Sequence, residues 1–137
     1  MGALTVLLVG AFAAFSLFVI SIQLDVEANH RAVARALIQQ MFEDIRSTSV
    51  LPATGATVLT ATSPQVTGNP SLSALWTKLP GGTITRTINW VTATGTVSAS
   101  LTGLLDVSYT ATWPEPGHGQ VSVTLDSYVT LNGVSTD

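Results

Sequence analysis

With 137 residues the chain has room for one compact module and one long helix. Its 5 Lys+Arg against 8 Asp+Glu, a formal net charge of −3, offer no basic surface to neutralise a phosphate backbone, which excludes nucleic acid as a partner. Cysteine is absent, which excludes disulfides and thiolate-held metals, so packing alone must hold the fold.

The chain opens with MGALTVLLVGAFAAFSLFVISIQLDVEANHR, and its first charge of any kind is Asp25. An exported apolar segment ordinarily carries Lys or Arg in front of it, because that positive end sets orientation in the membrane. Either a basic leader has been removed here, or the segment is not an ordinary exported one. Ala3 to Leu24 contain neither charge nor proline, and as a helix they would measure roughly 33 Å, enough to cross a bilayer. A helix that is apolar on every face needs apolar matter on every side. One small domain cannot supply it, which leaves lipid or neighbouring copies of the same helix. Gly2, Ala3, Gly10, Ala11, Ala13 and Ala14 lie among Leu7, Leu8, Phe12, Phe15, Leu17 and Phe18, a mixture that lets helices approach closely and interdigitate.

The helical pattern continues without a break through DVEANHRAVARALIQQMFEDIRS, which has no Pro or Gly. Val26, Val33, Leu37, Met41 and Ile45, with Ala34, Ile38 and Phe42 beside them, recur at three and four and mark one apolar face. The other face carries Glu27, Arg31 and Arg35, then Glu43, Asp44 and Arg46. Glu27 and Arg31 stand in the favourable order for an i,i+4 pair. One helix is therefore expected over residues 1–47, apolar in 1–24 and amphipathic in 25–47, ending in STSVLPATG.

Residues 48–82 read as a connecting surface loop with short ordered pieces, since 51–82 alone hold four of the six prolines. ATVLTAT within it is a possible short strand. The remainder, 83–137, switches to a period of two. TITRTINWV puts Ile84, Ile88 and Trp90 in phase, with Arg86 unexpectedly on the same face. GTVSASL either extends the sheet or belongs to a connection. LDVSYTATW places Leu105, Val107, Tyr109, Ala111 and Trp113 on one face; QVSVTLDSYVTL repeats the alternation, and the PEPGHG between them predicts a hairpin. A lone small sheet is marginal, and the stripe from Val33 to Ile45 is the apolar surface available to cover it. The expected fold is α+β: a long apolar N-terminal helix, with a small antiparallel sheet packed on its second half and the first half protruding as a stalk.

No catalytic or metal constellation emerges. His30 lies on the helix among charges and His118 in a Gly-rich hairpin turn, with no cysteine or paired carboxylate at metal spacing, the adjacent Glu43 and Asp44 do not share a helix face, and the Gly81-Gly82 pair precedes a strand rather than a helix. The expectation is a non-enzyme without cofactors. Phe12, Phe15 and Phe18 read as packing groups.

The apolar segment continuing into an amphipathic helix and a small sheet resembles the type IV pilin superfamily, which includes the pseudopilins of type II secretion. The resemblance is architectural over the whole chain. It is most sequence-like in ARALIQQMFEDIRS and in VSYTATWPEPGHGQVSVTLDSYV, which is similar to the terminal hairpin of certain minor pilins. It implies a basic leader cut off by a prepilin peptidase, with Met1 as the processed and N-methylated first residue. It also implies a transmembrane helix in the inner or cytoplasmic membrane before assembly. Thereafter the chain would be a subunit of a helical homopolymer at the cell surface, built by pilus assembly machinery and available for cell adhesion. Leu7, Leu8, Phe12, Phe15, Phe18 and Ile22 would pack the filament core, with Met1 and Thr5 at the assembly end. The chain departs from the family in having Thr5 where most bacterial pilins have a glutamate, and Ile22 near the position of the usual proline. As alternatives, the same features fit a minor pilin or pseudopilin, or a single-pass membrane protein with an extracytoplasmic binding domain.

Overall fold

A computed structural model describes residues 2–47, 53–99 and 102–130. Helix α1 runs Gly2–Ser47 without interruption, as expected of a segment with no proline and no glycine after Gly10. The chain divides into two compact units, Met1–Ala32 and Val33–Asp137.

The second unit holds the sheet. Strand β1 (Gly55–Leu59) is followed by the short helices α2 (Pro64–Thr67) and α3 (Pro70–Trp76), then β2 (Thr83–Val91), β3 (Val97–Ser98), β4 (Leu104–Glu115) and β5 (Gly119–Thr130). All pairings are antiparallel in the order β1-β2-β4-β5, with β3 beside the end of β2. The expected hairpin is β4–β5, in unbroken register from Leu104↔Thr130 to Glu115↔Gly119. At Pro114 the pairing with β2 has already ended, at Thr83↔Thr112, so β4 is paired there with β5 alone, through Gln120. GTVSASL contributes the two residues of β3, reached by a turn in which Gly95 (φ 81°) donates to Thr92 O at 2.8 Å. Leu131, expected to continue β5, lies outside the described residues.

The stripe on α1 is buried over Val33, Ala34, Leu37, Ile38, Met41, Phe42 and Ile45. It meets the inward residues Ile84, Ile88, Leu105, Val107, Tyr109, Ala111 and Trp113 in one core, each large side chain contributing about 1.5–3 kcal/mol by leaving water. Phe42 meets Tyr109 edge to face at 4.9 Å between ring centres. The outward face of the sheet carries hydroxyls in rows fixed by the register: Thr83, Thr112 and Ser122 in one, Thr85, Thr110 and Thr124 in the next. Thr110 and Thr124 share a hydrogen bond of 2.9 Å.

The segment expected to be surface loop is partly core. Val66, Leu72, Trp76 and Leu79 from α2, α3 and the turn after them are buried in the same cluster. Trp76 Nε1 donates to Gly82 O at 3.2 Å, and the Leu79 side chain lies where a Gly82 side chain would stand, 2.9 Å from an added Cβ. Ser63-Pro64 and Asn69-Pro70 each start a helix, since proline at the first helical position lacks only a donor that would be orphaned there. Asn69 caps α3 by accepting from Ser71 N and Leu72 N, and its amide donates to Asp44 Oδ2 on α1 at 3.1 Å. Asn69→Ala removes a cap and a tie to α1 together, so it is expected to lower unfolding free energy by about 1–2 kcal/mol, read from the denaturant midpoint. Asn69→Ser, which caps but cannot reach Asp44, separates the two losses.

Candidate assembly surface

Gly2 to Leu24 of α1 present their apolar side chains to the outside. Leu7 is 74% exposed, Phe12 and Phe15 66%, Phe18 63%, Leu8 51% and Ile22 48%. None of the most apolar 18-residue window is buried, and its mean hydropathy is 2.6, so the helix is long and apolar enough to cross a membrane. Soluble proteins seldom expose contiguous apolar surface on this scale unless something else covers it. Ser16, within this stretch, is compatible with an apolar environment: its Oγ donates to Phe12 O at 3.0 Å, so that hydroxyl needs no water. Of the residues expected at the assembly surface, Thr5, Leu7, Leu8, Phe12, Phe15, Phe18 and Ile22 all lie exposed on this half. Met1 lies outside the described residues. Arg31 bonds Glu27 at 2.7 Å, the expected i,i+4 pair.

A second polar locus sits inside the Val33–Asp137 unit, where α1, α3, β2 and β4 meet. Arg86 lies on the inward face between Ile84 and Ile88, opposite Tyr109 in the register, and its buried Nε has no hydrogen-bond partner. Tyr109 is 1% exposed, and its phenol is pushed up to about 12, chiefly by burial; the Arg86 guanidinium pulls the other way and Asp44 adds to the rise. The folded phenol therefore holds its proton more tightly than the unfolded one. Its contribution to stability is complete below about pH 10, where both states are protonated, and is lost as pH rises through about 12. Denaturant midpoints measured from pH 8 upward are expected to fall above about pH 10, and Tyr109→Phe should flatten that part of the slope. At the hairpin tip, Glu115 continues the inward face of β4 and accepts from Trp113 Nε1 at 2.8 Å. These contacts join elements to one another. No group of three or more His, Cys, Asp or Glu able to hold a metal ion occurs among the described residues.

Arg86, Asp44, Asn69 and Glu115 were not singled out as a constellation by the sequence. Arg86 was legible only as a cation out of place on an apolar face. Asn69-Pro70 carried a helix-start signal. Comparisons with models of known protein families, with curated proteins and with solved structures return no match to this chain.

Proposed function

We propose that this chain is a structural subunit of a type IV pilus-like filament, assembled by bundling its N-terminal helices. The observation that carries the reading is the uncovered apolar half of α1, in a chain whose second unit has a core of its own. Such a helix can pass from lipid into a bundle of identical helices without its apolar surface ever facing water, so transfer meets no large hydrophobic penalty. Alternation of small residues with Leu and Phe suits close helix packing in that bundle. In this reading the subunit waits in the membrane, and the Val33–Asp137 units form the outer surface of the finished filament.

Thr5 supports a second assignment within the same class, a minor pilin or pseudopilin that primes or caps a filament. A neutral hydroxyl pairs with a neighbouring amine more weakly than a carboxylate does. The deciding experiment is cryo-electron microscopy of material sheared from the cells that make this chain. Density for this chain repeating along a thin filament, with its helices at the centre, establishes the major-subunit reading. Filaments built from another chain, with this one in traces, establish the minor role. Retention of the chain solely in the membrane fraction defeats both and leaves an anchored domain.

A further inference from the structure

We propose that the free edge of β5 docks a second copy of this chain through a two-fold axis at Thr124. The inference is independent of the filament reading, because it concerns the Val33–Asp137 unit alone.

Sheets ordinarily guard their edges with lysine, proline, a bulge or a short strand. The edge opposite β5 follows that rule, with β1 of five residues and β3 of two. Strand β5 does not: all twelve of its residues pair with β4 in unbroken register, and no described strand pairs with its other side. Between Gly119 and Thr130 there is no Lys, Arg or Pro, and Asp126 is the single charge. The core also thins toward this edge. On β4 the inward residues Leu105, Val107, Tyr109, Ala111 and Trp113 are at most 1% exposed, whereas on β5 Val129 is buried but Val121, Val123 and Leu125 are only partly so. Alongside runs an open groove of about 640 Å³ between α1, α3 and β5, in which the apolar Phe42, Leu75 and Leu125 stand among the charged Glu43, Arg46 and Asp126. A strand added to β5 would bond its backbone to the free edge and turn every second side chain toward that groove.

The side-chain order on β5 favours its own copy as that strand. Residues paired across antiparallel strands share a face, so a two-fold axis must pass through a residue and not between two. At Asp126 it would set two carboxylates against each other, which is repulsive. At Thr124 it sets Asp126 opposite Ser122, whose hydroxyl donates to the carboxylate, and Val123 opposite Leu125 at the mouth of the groove. Residues 119–129 then overlap almost the whole strand.

The chain contains no cysteine, so single cysteines report the contact directly. Thr124→Cys, Tyr128→Cys and Thr85→Cys, all on the outward face, are compared in the full chain in detergent micelles under mild copper–phenanthroline oxidation, with circular dichroism checking that each folds. A two-fold pair at position 124 brings its Cα atoms within disulfide reach, whereas Tyr128 faces Gln120 and Thr85 lies on an interior strand. Thr124→Cys should therefore form disulfide-linked dimer in about tenfold or greater excess over the other two. Adding Ser122→Lys to Thr124→Cys, which places a cation opposite Asp126, should raise that yield. Equal yields at the three positions, or no dimer at 124, overturn the proposal. A yield that Ser122→Lys leaves unchanged overturns the Thr124 axis.

Discussion

Phe15→Asp is expected to abolish filaments while leaving the Val33–Asp137 unit folded. Phe15 is 66% exposed and lies at the middle of the apolar half of α1. A carboxylate there costs about 2.5–3.5 kcal/mol at the centre of a bilayer, and it is no better placed inside a bundle of apolar helices, where nothing within reach would pair with it. Both ends of the proposed transfer are thus penalised, and Leu8→Asp should act in the same way. The readouts are separable, because Trp76, Trp90 and Trp113 are all buried in the second unit. Indole fluorescence should be unchanged in the variant, while electron microscopy of the sheared fraction finds no filaments. Filaments of normal length in Phe15→Asp would refute the bundled-helix mechanism.

The largest stability loss is expected at Trp113. It is 0% exposed and ranks first among the fully buried side chains by volume, and its Nε1 donates to Glu115 Oε2 at 2.8 Å. Trp113→Ala empties the site and removes that donor, for a loss of about 3–5 kcal/mol. Against a typical domain stability of about 5–15 kcal/mol, that brings the unit close to unfolding at moderate temperature. Trp113→Phe retains most of the apolar volume and isolates the hydrogen bond, with an expected loss of about 1–3 kcal/mol. Denaturant unfolding followed by the remaining indoles measures both, with the midpoint falling and the slope unchanged. A Trp113→Ala midpoint equal to that of Trp113→Phe would mean that packing at this position contributes little.

The long elements were legible because their signals are periodic and uninterrupted. The α1 stripe from Val33 to Ile45 is buried residue for residue as its spacing implies, and β2 spans the nine residues that TITRTINWV delimits. Val26, in phase with that stripe, is 41% exposed; it belongs to the Met1–Ala32 unit, whereas the buried stripe starts with the second unit at Val33. In the stretch 48–82 the short ordered pieces are present among the described residues 53–82, but their share in the core was not legible, for a physical reason. Two of its prolines, Pro64 and Pro70, open helices too short to show a period, and five scattered apolar residues there, Leu59, Val66, Leu72, Trp76 and Leu79, become core only when the sheet supplies the other wall. ATVLTAT stops as a strand at Leu59 because Thr60 N bonds the Ser63 hydroxyl at 2.9 Å and Ser63 N bonds Thr60 O, a turn that competes with the ladder. The candidate assembly surface was legible as composition. The Asp44–Asn69 tie was not, because it joins residues 25 apart in the chain.

The rows of threonine and serine on the outward face of the sheet have a consequence for how that face meets its surroundings. Hydroxyls hold their water by hydrogen bonds and not by charge, so they gather no cloud of counter-ions that added electrolyte would thin. Along those rows a contact would rest on uncharged hydroxyls and respond little to ionic strength, while Asp106 and Asp126 supply the salt-sensitive part of the same face.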